Sequence, residues 1–178
     1  MTENQDQPDP VWDAQAITAQ LGREPRGVWR VAARCSGDWP AVVETDPRLP
    51  DGTPFPTLYY LTCRRLNAAL STLEAEGVMA QMQSRLADDS DLQDQYKRAH
   101  DQYIAAREQL GDVPEIHGFS AGGMPERVKC LHALVAHSLG VGPGVNPFGD
   151  EALELVAARG LWPHPEPCVT VETEVEDD

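Results

Sequence analysis

VWRVAARC, residues 28–35, decides the class of fold. Trp29, Val31, Ala33 and Cys35 share one side of this stretch, while Arg30 and Arg34 share the other. A period of two marks a strand with one buried face. Downstream, the turn Ser36–Pro40 leads into a second short strand, Ala41–Thr45. TLYYLTC, residues 57–63, makes a third, with Tyr59, Leu61 and Cys63 on one face. Between the last two lies DPRLPDGTPFP, too rich in proline to hold regular structure. Three such strands predict an antiparallel meander in which the first and third run the same way. Cys35 and Cys63 then come to the same edge of the sheet.

Outward from the strands the period changes to that of a helix. Upstream, Val11, Ala14, Ile17 and Leu21 recur at helical spacing before a stop at Gly22. Downstream, Leu66, Leu70, Leu73, Met79, Met82 and Leu86 mark a long helix bent near Gly77. A break at Asp88–Ser90 caps a further helix that turns Leu92, Tyr96, Tyr103 and Ile104 to the core and leaves Arg98 and Arg107 at polar positions. Pro125 suits the first turn of another helix, running to about Leu139. A last helix, near Glu151–Arg159, stops at Gly160. The expected fold is α+β: a sheet of about three antiparallel strands in the N-terminal half, covered by four to five helices. Residues 11–165 form one globular domain between disordered acidic tails at 1–10 and 166–178.

A formal charge of −15 on 178 residues argues against nucleic acid and anionic membrane as partners, since both would repel it. No apolar run approaches the roughly 20 residues needed to span a bilayer. The N-terminus, MTENQDQPDPVWD, lacks the basic and apolar regions of a signal peptide, so the expected location is the cytoplasm. In that reducing compartment the four cysteines are read as buried thiols or metal ligands rather than as disulfides.

Most residues capable of chemistry lie between His117 and Asp150, HGFSAGGMPERVKCLHALVAHSLGVGPGVNPFGD. One reading is a metal or iron–sulfur site. Thiolates are soft, strong ligands for zinc and for iron–sulfur clusters, and imidazole suits zinc. Cys35, Cys63 and Cys130 each fall within a defined element, His132 stands two residues beyond the third, and Cys168 lies in the C-terminal tail. No C-x-x-C pair is present. On one helix Cys130 and His132 would be about 200° apart, so they share a metal only where that turn is irregular. Cys130 and His137 would stand roughly 10 Å apart along the axis, too far for one zinc. The competing reading is three buried small hydrophobes and a helix histidine.

Another reading is anion binding. Gly118, Ser120, Gly122 and Gly123 precede a helix start, where free backbone N–H groups favour a phosphate or carboxylate, and Arg127 and Lys129 add charge. Against it stands a plain glycine turn that lets backbones pack closely. A third reading is a hydrolase: Gly118–Gly122 fits G-x-S-x-G, and Ser120, Asp150 and His164 fall in hydrolase order. That motif requires a strand directly before the serine and alternating β/α units, and the chain offers neither. HALVAH spaces its histidines five apart, not the four of a metalloprotease helix.

GTPFPTLYYLTC (52–63), GGMPERVKCLH (122–132) and GPGVNPFGD (142–150) together resemble the bacterial "domain of unknown function 501" family over roughly residues 20–160. The resemblance implies a bacterial cytoplasmic protein with no established activity. It also implies a Cys at the positions of Cys35, Cys63 and Cys130 and a His at His132, with Cys168 outside the pattern. On that basis these three cysteines are expected to converge on one site that holds an iron–sulfur cluster or zinc, with His132 as fourth ligand and the Gly118–Gly123 turn as one wall. The alternative is a non-catalytic interaction domain with buried thiols. Its helical hairpin (residues 64–110) or acidic tails would then engage a protein partner.

Overall fold

The structure is a computed structural model and describes residues 10–171. Helix α1 (Pro10–Leu21) precedes strands β1 (Val28–Arg34), β2 (Pro40–Thr45) and β3 (Tyr59–Leu61). Helices α2 (Arg64–Ala75), α3 (Val78–Asp88), α4 (Ser90–Glu108), α5 (Leu131–Val141) and α6 (Pro147–Ala158) follow, with one 3-10 turn at Pro114–Ile116. The expected α+β class is what the chain adopts. The sheet order is β1-β2-β3 with both pairs antiparallel.

Every residue of β2 is buried, as the middle strand of a covered sheet should be. Pairing of β1 with β2 slips at three places, and these irregularities break the simple alternation read in VWRVAARC. Ala32 and Ala33, neighbours in sequence, both pack on the core. Helix α5 lies against all three strands and against α2 and α6. Its buried set Leu131, Leu134, Val135, Ala136, His137 and Ser138 covers most of its circumference, the mark of a central helix. At Gly149 the backbones of α5 and α6 come so close that any side chain would run into the Leu134 carbonyl and the Ser138 hydroxyl.

Several expected boundaries move, each for a physical reason. The long helix of residues 64–88 divides at Gly77, whose φ of 83° no helical residue adopts. Asp89 caps α4 through a bond from the Leu92 N–H at 3.0 Å. Pro125 does not open a helix. Residues 123–129 instead fold into turns closed by Arg127 N–H to Gly123 O (2.9 Å) and Lys129 N–H to Gly122 O (2.7 Å), and α5 begins only at Leu131. The last helix starts earlier than expected, at Pro147, because Asn146 caps it by accepting from the Gly149 N–H at 3.0 Å.

Arg107 corrects a second expectation. It is 1% exposed, and its guanidinium donates to the carbonyls of Pro56 (3.0 Å), Phe119 (2.6 Å) and Ile116 (2.8 Å). A long side chain with a planar fork can cross-link two segments in this way, the loop at residue 56 and the stretch 116–119.

Contacts with the helices also continue past residue 165, where the acidic tail was expected to begin. Arg65 pairs with Glu166 and donates to the Pro167 carbonyl, and Gln20 donates to the Cys168 thiol. The tails at 1–9 and 172–178 lie outside the described residues.

Candidate metal centre

Helix α2 buries Leu66, Ala69, Leu70 and Leu73. Glu74 follows Leu70 by four positions and so stands at the border of that apolar stripe, facing the start of α5. There its Oε1 accepts the Leu131 N–H at 2.7 Å, one of the donors a helix start leaves without an intrahelical partner. The same oxygen lies 3.1 Å from His132 Nδ1.

Cys130 is the residue just before α5. Its extended backbone (φ −155°, ψ 109°) supplies the irregularity that a regular helix would deny. Sγ thereby comes within 3.9 Å of His132 Nδ1 instead of pointing to the opposite face. The ligand atoms of Glu74, Cys130 and His132 all lie within 4.8 Å of one another. His132 Nε2 sits 3.1 Å from the Asn67 carbonyl and 3.3 Å from Ser71 Oγ, which fixes the ring with Nδ1 toward the other two groups.

The electrostatics follow from this crowding. The contact with Cys130 raises the His132 pKa to about 9, helped by the Glu74 charge and the Asn67 carbonyl and opposed by burial. The same contact lowers the Cys130 thiol below its ordinary value, with burial opposing. The contact thus shifts each group toward its charged form.

The other expected ligands lie elsewhere. Cys63 is the residue before α2, at the far end of that helix from Glu74, about 16 Å along the axis at 1.5 Å per residue. Its thiol lies close enough to that of Cys168 for the two to shift each other's titration. Cys35 closes the β1–β2 turn through its backbone, bonded to Trp39 O (2.9 Å) and from the Asp38 N–H (3.0 Å), and packs partly buried against the core. Neither belongs to the group around Glu74. His137 is a core histidine, 0% exposed. It stacks on Tyr59 and meets Tyr103 edge-on, and burial pushes its pKa down to about 4.

The glycine turn packs closely on its neighbours. A side chain at Gly122 would strike Leu134 and crowd the Cys130 carbonyl. Arg127 and Lys129 are exposed, and the helix start the turn was expected to feed lies at Leu131, already capped by Glu74. Ser120 does meet a histidine, but not the one its motif suggested. His100 Nδ1 stands 2.8 Å from Ser120 Oγ, whereas Asp150 accepts the Gly144 N–H and His164 pairs with Glu166.

Sequence reasoning missed Glu74 and His100. The signal for Glu74 was an acid bordering the Leu66–Leu70–Leu73 stripe; nothing local marked His100. The family model described as "Protein of unknown function (DUF501)" matches residues 31–154, well over half of the chain. No curated protein and no solved structure matches.

Proposed function

The chain belongs to the DUF501 family, whose function is unknown, and from that premise we propose that Glu74, Cys130 and His132 bind a zinc-type divalent cation. One observation carries the reading. Three different donors face one another while the far nitrogen of the histidine is held by a backbone carbonyl, the outer arrangement that metal-binding histidines use. A tetrahedral zinc with Zn–S of about 2.3 Å and Zn–N or Zn–O of about 2.05 Å separates S from N by about 3.6 Å and N from O by about 3.3 Å. The observed 3.9 and 3.1 Å need shifts of a few tenths of an ångström.

A single thiolate in the group suits zinc better than an iron–sulfur cluster, which takes cysteines at most of its corners. Three protein ligands leave a fourth position for water or substrate, as in zinc sites that act as Lewis acids. The interaction-domain alternative gains nothing from the helical hairpin. The large apolar side chains exposed among the described residues are Val11, Tyr60, Phe119 and Leu161, all outside residues 64–110. No described helix is long and apolar enough to cross a membrane.

The test is titration of reduced, metal-free protein with Zn²⁺ by calorimetry and with Co²⁺ by visible absorption. The expected result is one ion per chain with a thiolate-to-cobalt band. Cys130→Ser and His132→Gln should each weaken binding by more than the roughly 10–100-fold typical of losing an outer partner, and Cys35→Ser should leave it unchanged. Binding that survives Cys130→Ser overturns the proposal.

A further inference from the structure

Outside the metal centre, two more thiols meet at the opposite end of α2. Cys63 ends the β3 connection and stands just before the helix. Cys168 belongs to the C-terminal strap that crosses it: Arg65 donates to the neighbouring Pro167 carbonyl, and Gln20, whose carbonyl takes the Arg64 Nε bond, donates to Cys168. Two free thiols thus lie close enough to shift each other's titration. We propose that Cys63 and Cys168 are a redox-active dithiol, closed by a hydroperoxide into a disulfide that pins the C-terminal strap to the start of α2.

The surroundings favour a thiolate on one partner and a thiol on the other. Gln20 Nε2 donates to Cys168 Sγ at 3.3 Å, and the first-turn backbone of α2 at Arg64 also favours the Cys168 thiolate. Cys63 is 2% exposed, while Cys168 is only partly buried. Oxidant from solvent therefore reaches Cys168 first. The Cys63 thiol beside it holds the Cys168 pKa below its ordinary value, with Gln20 and the backbone assisting and burial opposing. Cys63 itself is pushed above its ordinary value, first by Cys168 and then by burial. This is the division of labour between an attacking and a resolving cysteine.

The chemistry balances. The Cys168 thiolate attacks one oxygen of the hydroperoxide, an S–O bond forms, the O–O bond breaks, and an alcohol or water leaves with one proton taken up. Cys63 then gives up its proton and attacks the sulfenic sulfur. The S–S bond forms, the S–O bond breaks and water departs. Two electrons pass from the two thiols to the peroxide.

Closure would matter mechanically, because the polar contacts that hold the strap to α2 are exposed to solvent. The strap's contacts include the Arg65 bonds to Glu166 (3.4 Å) and Pro167 (3.3 Å) and the seat of the Pro165 carbonyl on side-chain-free Gly37. The Cys63–Cys168 link would make the strap a covalent part of the domain.

The test uses the full chain, reduced and then treated with hydrogen peroxide, with thiol counting and peptide mapping by mass spectrometry. The expected result is loss of two of the four thiols and a Cys63–Cys168 linked peptide. Cys63→Ser should instead trap Cys168 as a sulfenic acid captured by dimedone, with no linked peptide. Cys168→Ser, checked by circular dichroism to be folded, should leave Cys63 reduced. Limited proteolysis of residues 161–171 should slow on oxidation in wild type and not in Cys168→Ser. Oxidation that falls first on Cys35 or Cys130, or a linked peptide that does not contain both Cys63 and Cys168, overturns the proposal.

Discussion

Replacing Arg107 with Met keeps an unbranched apolar stem and removes all of the donors. The carbonyls of Pro56, Ile116 and Phe119 then lose the guanidinium that satisfies them. Hydrogen bonds to a charged group are each worth about 1.5–3 kcal/mol, so the gross loss is roughly 5–9 kcal/mol. Part of it is offset, because the variant no longer holds a cation out of water; burial already depresses the Arg107 pKa. A net destabilisation of about 3–5 kcal/mol remains. For a chain of 178 residues, at about 2–4 °C per kcal/mol, the melting temperature falls by about 6–20 °C. Thermal unfolding followed by far-ultraviolet circular dichroism measures this directly. Arg107→Lys, which keeps the charge but not the fork, should lose about half as much. Hydrogen exchange should show amides of residues 116–120 opening in the Met variant before the core does. A fall under about 3 °C with exchange unchanged would refute the idea that this buried cation holds the loops together.

Two further expectations concern the core. His137 donates from Nε2 to Gln102 Oε1 (2.7 Å) and accepts at Nδ1 from Asn146 Nδ2 (3.2 Å), while the Asn146 oxygen is committed to the Gly149 N–H. The amide cannot turn to accept a second imidazole proton without uncapping α6. With a folded pKa of about 4 against an ordinary 6.5, the unfolded chain takes up the proton first. This contribution is therefore complete above pH 6.5, declines as the pH falls toward 4 and is flat below, amounting to about 3 kcal/mol at most. Urea unfolding across that range should show wild type losing stability relative to His137→Gln; a difference between them that does not vary with pH would contradict the assignment. Gly149→Ala must push apart two helix backbones, since the obstacle is the Leu134 carbonyl rather than a flexible tip. Its melting point should fall by an amount equivalent to about 1–3 kcal/mol, and an unchanged melting point would mean that α5 and α6 do not approach there as described.

How much of this was legible in sequence depended on the range over which each feature is determined. The breaks at Gly77 and Asp89 announce themselves locally, through a residue suited to positive φ and a carboxylate placed to cap. The strands were legible as elements but not in their irregularities, because a slip in pairing depends on the partner strand. Pro125 misled for the same reason. Its own chemistry fits a helix start, yet the bonds from Arg127 and Lys129 back to the two glycines hold the segment in turns. Arg107 looked like a solvent-facing charge because its acceptors come from loops around residues 56 and 116–119. At the site, Cys130 and His132 were visible as chemistry, whereas their partner Glu74 read as one more acid on an amphipathic helix. Cys168 was assigned to the tail because nothing in a short proline-rich stretch shows which helix it will cross.

Glu74 also bears on how α5 begins. Helices commonly carry their start signal in the residue just before the first turn, so that a fragment can begin to coil by itself. Cys130 makes no such bond to α5, and the N–H of Leu131 is satisfied from a position 57 residues earlier. The most central helix of the fold thus lacks an autonomous beginning. The N–H at its start finds its acceptor only when α2 lies beside it, so this cap is a tertiary contact rather than a local one.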